Sequence, residues 1–198
     1  MSRYVAFEGV EGAGKSTVIR GVAEAFEAAG DEVVLVREPG GSPLGEGIRD
    51  LLLHGPEMIP WAEAQLFAAQ RAQLAAEVIR PALARGAWVL GDRSVYSSLA
   101  YQGHARGLGI PQVRAVNEAG LGGTWPDRVV LLHTDPEAGL RRQRVADRIG
   151  GEGLAFQRLV ADGYRILADA EPERFGIVPV DDSHPRAVVA DVCAMLRA

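Results

Sequence analysis

The one lysine of this 198-residue chain, Lys15, lies in a G-x-x-x-x-G-K-S motif that runs from Gly9 to Ser16. Lysine and arginine together number 21, so the other 20 basic residues are arginine, and a guanidinium evidently cannot replace this ammonium. In such a motif the backbone N–H groups surround a phosphate, a slender ammonium reaches the β- and γ-phosphates, and the next hydroxyl binds Mg²⁺. The motif therefore predicts a nucleoside triphosphate site, with Lys15 and Ser16 in these two roles.

The segments on either side of the motif predict the strand and the helix that it requires. Residues 3–7 are typical of a short strand, and residues 16–29 carry apolar side chains at helical spacing. A helix N-terminus attracts anions through its dipole and its unpaired N–H groups. A chance match in a chain with 24 glycines is the alternative, and this context argues against it.

Four further apolar segments predict four more strands, at residues 32–36, 87–91, 128–132 and 175–180. Nearly continuous apolar strands that alternate with helices are typical of a parallel sheet covered on both faces. Pro179 indicates that the last strand lies at an edge of this sheet. We therefore predict an α/β fold of the P-loop NTPase type, with a five-stranded parallel sheet, in a single domain over residues 1–198.

Polar residues follow the second and third predicted strands, at the sheet edge where ligands bind in such folds. They are Arg37-Glu38 and Asp92-Arg93. Asp92 stands where nucleotide-binding folds place a carboxylate near Mg²⁺, although it could instead cap the helix that follows. The Arg93 guanidinium suits bidentate binding of a second phosphate.

Residues 61–83 predict one long helix with an arginine in its apolar stripe. Phe67, Arg71, Leu74 and Val78 share one face of this helix. A buried, unpaired charge is expensive, so Arg71 requires a partner. One interpretation is a salt bridge to a neighbouring carboxylate; the other is a pocket in which Phe67 stacks on a base and Arg71 donates hydrogen bonds to its carbonyl.

Glu11 is an unexpected residue in an anion-binding loop, because a carboxylate repels phosphate. We interpret it as an acceptor that points away from the triphosphate, toward a sugar hydroxyl of a second substrate. Helix capping is the alternative. The variable positions of the loop hold no basic residue, so the charge that develops during phosphoryl transfer must be neutralised from elsewhere.

An arginine-rich segment is the expected source of that positive charge. Arg141, Arg144 and Arg148 share a face if this segment is helical, and a glycine-rich break follows. We predict a lid over residues 141–153, with Arg148 as the first choice of catalytic arginine and Arg144 as the second. A solvated arginine face is the other interpretation.

The remaining composition is that of an ordinary globular protein. The formal charge of −5 argues against nonspecific nucleic-acid binding, and the apolar runs are too short to span a membrane. Cys193 is the single cysteine, which fits a reducing compartment, and the predicted first strand leaves no room for a signal peptide. We expect a cytoplasmic protein.

Five segments in the right order carry a family resemblance that spans nearly the whole chain. They are the phosphate loop from Phe7 to Ser16, Arg37–Gly41, Leu66–Arg71, Asp92-Arg93 with Ser97–Gly103, and Asp147–Ile149. With these segments the chain resembles bacterial thymidylate kinases. Two positions depart from the family pattern, because Gly150 stands where a lid glutamate is usual and Ser94 where a larger residue is common.

The resemblance implies how each substrate is bound. For the acceptor base, it implies that Phe67 stacks on thymine, that Arg71 bonds the base carbonyl, and that Ser98 or Gln102 lies near the base edge. Glu38 is assigned to the same acceptor side. The residues assigned to ATP are Gly9, Val10, Glu11, Gly12, Ala13, Gly14, Lys15, Ser16 and Thr17.

The resemblance also implies roles around the acceptor phosphate and sugar. Arg93 clamps the monophosphate, Glu11 reaches the 3′-hydroxyl, and Tyr101 excludes a ribose 2′-hydroxyl. The expected catalytic residues are Lys15, Arg93, Arg148 and Arg144, and the expected Mg²⁺ ligands are Ser16 and Asp92.

The expected activity is direct transfer of a phosphoryl group from ATP to dTMP, with Mg²⁺ and without a covalent intermediate. The resemblance implies a homodimer as well. A kinase for another nucleoside monophosphate or for a deoxynucleoside is the nearest alternative. A nucleotide switch or ATPase that regulates a partner is a further one, but it leaves Phe67 and Arg71 unexplained.

Overall fold

The fold is organised around one sheet of five parallel strands, seen in a computed structural model that describes residues 3–143, 148–180 and 184–197. The strand order is β2-β3-β1-β4-β5, and every pair is parallel, which confirms the predicted five-stranded parallel sheet. The strands are β1 (Tyr4–Glu8), β2 (Val33–Arg37), β3 (Trp88–Asp92), β4 (Arg128–His133) and β5 (Phe175–Pro179).

Nine α-helices and two π-helical segments are seen among the described residues. The helices before β3 are α1 (Lys15–Ala28), α2 (Pro43–His54), α3 (Pro60–Leu74) and α4 (Arg80–Ala84), with the segment π1 (Ala75–Ile79) between the last two. The later ones are α5 (Val95–Ser98), π2 (Leu99–Ala105), α6 (Ile110–Leu121), α7 (Pro136–Arg142), α8 (Gly153–Ala170) and α9 (Pro185–Arg197). None of the described helices is long and apolar enough to cross a bilayer.

Both faces of the sheet are covered, which confirms the prediction from the apolar strands. All five residues of the central strand β1 are buried. On one face, Val18, Val22 and Phe26 of α1 join a core cluster that also contains residues of α9. On the other face, residues of α5, π2 and α8 form a second cluster. Burial of side chains on both sides explains why these strands are apolar at nearly every position.

The long helix predicted over residues 61–83 is interrupted by π1. Pro81, the second residue of α4, lies just beyond this segment and has no N–H to offer the carbonyl group one turn earlier. A wider turn before the proline relieves the clash between its ring and the preceding turn. The first part, α3, keeps Phe67 and Arg71 in continuous helix.

The prediction that Arg141, Arg144 and Arg148 share one helical face is wrong. Helix α7 ends at Arg142, and Gln143 is extended, with ψ of 123°. Arg148 lies in a turn, where its backbone N–H donates to the Leu53 carbonyl of α2. This tertiary hydrogen bond replaces a helical one, and Arg144 lies outside the described residues.

Candidate active site

A cavity of about 760 Å³ opens at the carboxyl ends of β1, β2 and β3. The parallel register pairs Phe7 with Asp92 and Arg37 with Asp92, so the polar residues that follow these strands meet there. Of the residues predicted for substrates or metal, those that line it are Glu11, Gly12, Gly14, Lys15, Ser16, Thr17, Glu38, Phe67, Asp92, Arg93, Tyr101 and Gln102.

The phosphate loop joins β1 to the N-terminus of α1, and the Lys15 ammonium lies against backbone carbonyls of this loop. Lys15 Nζ donates to Gly9 O at 3.1 Å and to Val10 O at 3.0 Å. Gly12 has a φ of 70°, and a Cβ there would lie 2.0 Å from the carbonyl oxygen of Gly139, so only glycine fits. Burial, assisted by Arg93, lowers the pKa of Lys15 to about 8.

Ser16 and Asp92 place a hydroxyl and a carboxylate side by side in the cavity. Ser16 Oγ donates to Asp92 Oδ2 at 2.9 Å. The helix after β3 is capped by Ser94, so the structure does not support the capping interpretation of Asp92. In the part of the chain that is described, no cluster of three or more carboxylate, histidine or cysteine ligands occurs. One carboxylate and one hydroxyl suit Mg²⁺, which keeps waters and phosphate oxygens as its other ligands.

Arg93 is held in an unusual backbone conformation beside the phosphate loop. Its φ is 70°, which a residue with a side chain adopts rarely and mostly at functional sites. Nη1 donates to Gly9 O at 3.3 Å and to Ser97 Oγ at 3.2 Å, and Nη2 donates to Glu11 Oε1 at 2.5 Å. These contacts account for three of the five N–H groups of the guanidinium.

Glu11 is paired with Arg93 and does not cap a helix, because the N-cap of α1 is Gly14. Tyr101 also donates to Glu11 Oε1, at 3.2 Å. Burial by itself would raise the pKa of Glu11, but the charges of Arg93 and Lys15 outweigh it and lower that pKa. Burial likewise would lower the pKa of Arg93, and Glu11 raises it well above its usual value. Both groups are therefore charged at neutral pH.

Arg71 lies behind the cavity wall, and the salt-bridge interpretation describes it. Its side chain is 2% exposed, and Nε lies 2.6 Å from Glu38 Oε2. The same guanidinium donates to Asn117 Oδ1 at 2.5 Å and to Ser98 Oγ at 3.1 Å. Burial raises the pKa of Glu38, with Arg71 offsetting part of the effect. Glu38 lines the cavity, so it connects Arg71 to that space.

Phe67 and Gln102 form the wall next to this pair. Phe67 is 9% exposed and lines the cavity. Gln102 Nε2 donates to the buried Glu63 Oε1 at 2.9 Å. A carboxylate only accepts hydrogen bonds, so the amide oxygen of Gln102 is the group left without a described partner. Ser98 is buried behind Arg71 and is not among the lining residues.

The lid arginines occupy different places. Arg142 lines the cavity and donates to Thr134 Oγ1 at 3.2 Å. Arg148 Nη1 instead lies 2.9 Å from Glu63 Oε2, and its Nε donates to Leu52 O. In this conformation Arg148, the first choice from the sequence, therefore faces α2 and α3 and does not line the cavity. Glu152, the acid nearest to Gly150, is paired with Arg106 at 2.6 Å.

A second, smaller cavity of about 260 Å³ adjoins the phosphate loop. Gly12, Gly14, Thr17 and Arg142 line both cavities. The other lining residues are apolar: Ala13 of the phosphate loop, Val18 of α1, Val180 just after β5, and Pro185 and Val188 of α9.

Several residues that line the larger cavity were not assigned to it from the sequence: Arg37, Pro39, Arg49, Leu53, Ser97, Arg142 and Ile149. Arg37 was noticed as the neighbour of Glu38, and Arg142 as a member of the arginine-rich segment. Arg49 had no signal in a chain so rich in arginine. It donates to the carbonyl of Pro39 at 2.8 Å, a contact that only the fold reveals.

Comparison with known proteins agrees with this geometry. A model of the thymidylate kinase family matches residues 7–192. The thymidylate kinase of Bacillus pumilus is 47% identical over 189 residues, covering 92% of this chain and 88% of that protein. The thymidylate kinase of a Synechococcus strain is 43% identical over 195 residues, covering 98% and 95%. The crystal structure of thymidylate kinase from Ehrlichia chaffeensis matches with a TM-score of 0.83 and 28% identity, covering 100% of this chain and 99% of that one.

Proposed function

The chain belongs to the thymidylate kinase family, with a P-loop NTPase fold and ATP:dTMP phosphotransferase activity, and from that premise we propose how its cavity carries out the transfer. One observation carries the proposal. Lys15 and Arg93 line the same cavity, and Arg93 keeps two N–H groups available beyond its described hydrogen bonds. Lys15 suits the triphosphate of ATP and Arg93 suits the monophosphate of dTMP, so the cavity can hold both phosphate groups at once.

The donor, ATP, binds along the phosphate loop in this proposal. The loop from Gly9 to Thr17 supplies N–H groups and the helix N-terminus, and Lys15 turns from the loop carbonyls toward the β- and γ-phosphates. The smaller cavity shares Gly12, Gly14, Thr17 and Arg142 with the larger one, and its apolar walls suit the adenine ring. Arg142 would then lie between the base and the phosphates.

The acceptor, dTMP, binds with its phosphate at Arg93 and its base at Phe67. A monophosphate accepts hydrogen bonds from the two available N–H groups of Arg93 in bidentate form. The Phe67 ring offers a stacking surface, and the Gln102 amide oxygen offers an acceptor for the base edge. Arg71 remains the candidate to bond the base carbonyl, with Ser98 near the base edge, although both lie behind the lining residues and Arg71 is paired with Glu38.

The acceptor sugar lies near Glu11 and Tyr101 in this arrangement. The Glu11 carboxylate can accept the 3′-hydroxyl hydrogen while it remains paired with Arg93. The Tyr101 ring packs against Arg93, with the guanidinium carbon 5.1 Å from the ring centroid. A bulky ring fixed in this way leaves no room for a 2′-hydroxyl.

The metal site of this proposal consists of Ser16 and Asp92. Their oxygens fit Mg²⁺ by number and by chemistry, as one hydroxyl and one carboxylate beside a triphosphate site. When bound, Mg²⁺ would neutralise charge on the phosphate oxygens.

Catalysis in this account is positioning and charge neutralisation. Protonated Lys15 and Arg93 lie around the transferring group, and no nucleophilic side chain is required. Of the lid arginines, Arg142 is the one that the described residues place on the cavity. Arg148 remains a candidate, but it would have to exchange Glu63 for a phosphate, and Arg144 would act from the lid over residues 141–153.

We also propose that residues 1–198 act as one catalytic unit, that the protein works in the cytoplasm and that it forms a homodimer. The absence of a membrane-spanning helix among the described residues is consistent with the location. The homodimer follows from the family resemblance.

A coupled assay of ADP release across a panel of acceptors tests the proposed site. We expect dTMP to be preferred over dUMP, dCMP and thymidine, with little ADP released when no acceptor is present. Thymidine lacks the phosphate that Arg93 binds, so its turnover should be the lowest of the four. Equal turnover of thymidine and dTMP would refute the assignment of Arg93 to the acceptor phosphate.

A further inference from the structure

Glu8, the last residue of β1, is a fully buried carboxylate that substrate binding as proposed above does not use. Its exposed fraction is 0%. Three hydroxyl groups surround it: Ser94 Oγ donates to Oε1 at 2.7 Å, while Ser97 Oγ at 2.6 Å and Tyr164 Oη at 2.7 Å donate to Oε2. No ion pair of Glu8 occurs among the described residues. A buried carboxylate that lacks a direct cation is expensive, so its presence requires an explanation.

Ser97 connects this carboxylate to Arg93. A serine hydroxyl has one proton to donate and two lone pairs that accept. Because a carboxylate only accepts, the Ser97 proton is committed to Glu8, and a lone pair of the same oxygen faces Arg93 Nη1 at 3.2 Å. Tyr164 lies 2.9 Å from Ser97 Oγ and also donates to Glu8, so it does not compete for Arg93.

The orientation of the Arg93 guanidinium depends on this hydroxyl. Nη1 is held by Ser97 Oγ and by Gly9 O, and Nη2 by Glu11 Oε1. Holding the fork at these atoms leaves two N–H groups in a fixed direction for a phosphate. If the Ser97 hydroxyl turned its proton toward Arg93, donor would face donor and the guanidinium would lose one of its three supports.

We propose that Glu8 is a positioning residue for Arg93, because it fixes the Ser97 hydroxyl so that its oxygen accepts from the guanidinium. The inference rests on the proposed function, in which Arg93 binds the phosphate of dTMP. Glu8 touches neither substrate; its effect reaches the phosphate through one hydroxyl and one guanidinium.

Comparing the affinities for dTMP and thymidine tests this role, since the two ligands differ by the phosphate alone. The variants are Glu8→Gln and Ser97→Ala, measured by calorimetry. Each should weaken dTMP binding by about tenfold, as expected for the loss of one hydrogen bond to a charged group, and change thymidine binding by less than about twofold. Ser94→Ala is the control, because it removes a buried hydroxyl that bonds the other oxygen of Glu8 and has no described bond to Arg93. It also removes the N-cap of α5, so Tm is measured for all variants and the comparison is made on the ratio of the dTMP and thymidine affinities.

The double variant Glu8→Gln/Ser97→Ala tests whether Glu8 affects Arg93 through the Ser97 hydroxyl or by another path. If Glu8 acts through Ser97, adding Glu8→Gln to Ser97→Ala leaves the ratio of the two affinities as it is in Ser97→Ala. Full additivity, an equal weakening of dTMP and thymidine, or a Ser94→Ala effect as large as that of Ser97→Ala would each overturn the proposal. Should Glu8→Gln fail to fold, comparing Ser97→Ala with Ser94→Ala still shows whether the Ser97 hydroxyl supports phosphate binding by Arg93.

Arg93→Ala distinguishes failure of the inference from failure of the proposed function. If Arg93→Ala abolishes the preference for dTMP over thymidine while Glu8→Gln leaves it intact, the positioning role alone is wrong. If Arg93→Ala leaves the preference intact, Arg93 does not bind the phosphate, and both the site assignment and the inference fall.

Discussion

Ser16 Oγ lies 2.9 Å from Asp92 Oδ2, although the two residues are 76 positions apart in the chain. The contact exists because β1 and β3 are neighbours in the sheet, with Phe7 paired to Asp92. It places one hydroxyl and one carboxylate beside the phosphate loop before any substrate is bound. In the proposed function these two oxygens bind one divalent cation.

Asp92→Asn should raise the Mg²⁺ concentration needed for activity and lower kcat by about tenfold or more, because a neutral amide is a poorer ligand for a hard cation. Activity is measured as a function of Mg²⁺ concentration at saturating ATP and dTMP. Asp50→Asn, an exposed carboxylate on α2, is the control and should match the wild type. An unchanged Mg²⁺ dependence in Asp92→Asn would remove Asp92 from the metal site.

Lys15→Arg should lose most activity while keeping the charge, because the wider guanidinium cannot replace an ammonium seated on Gly9 O and Val10 O. The quantity compared is kcat with dTMP. The control is the reverse exchange, Arg20→Lys, on the exposed face of α1, which should leave kcat unchanged. Near-wild-type turnover in Lys15→Arg would show that a slender side chain is not required there.

Binding of a nonhydrolysable ATP analogue should take up a proton above about pH 8. The pKa of Lys15 is lowered to about 8, mainly by burial, so the free protein carries a partly neutral Lys15 at pH 8.5. Phosphate favours the charged form, so binding restores the proton and affinity falls as the pH rises through this range. Calorimetry in buffers of different ionisation enthalpy measures the uptake, which Lys15→Met should abolish. Equal heats in all buffers at pH 8.5 would contradict the prediction.

Phe67→Ala should raise KM for dTMP and leave KM for ATP almost unchanged. Loss of stacking on an aromatic side chain is worth ~1–3 kcal/mol per base. Trp61→Ala, a partly exposed ring on the same helix, is the control. If Phe67→Ala weakens both substrates equally, the ring belongs to the core and the damage is structural.

Arg142→Ala and Arg148→Ala should separate catalysis from stability. Arg142 lines the cavity, so its loss should lower kcat with little change in Tm. Arg148 shares the buried Glu63 with Arg106, so its loss should lower Tm, since one of two cations is removed from a buried carboxylate. Arg141→Ala, exposed and paired with Glu137, should change neither quantity. A fall in kcat of two or more orders of magnitude in Arg148→Ala, at unchanged Tm, would return the catalytic role to Arg148.

The sequence predicted the parts of the fold that local patterns determine. Lys15, Ser16 and Asp92 follow apolar strands, and parallel strands bring their carboxyl ends to one edge, so the meeting of Ser16 and Asp92 could be foreseen. The partners of Arg71 could not, because Glu38 follows β2 and Asn117 lies on α6, and tertiary packing brings both to Arg71. The arginine spacing was misleading, since helix α7 ends at Arg142 and the Arg148 backbone bonds to α2.

The central claim is that one cavity holds ATP at Lys15 and dTMP at Arg93 at the same time. Its most direct test is the binding of adenosine and thymidine joined by five phosphates, measured by calorimetry and by competition. We expect this compound to bind more tightly than ATP or dTMP and to compete with both, and we expect Lys15→Met and Arg93→Ala each to weaken it. Competition with one substrate alone, at an affinity no better than that of the corresponding nucleotide, would contradict the account.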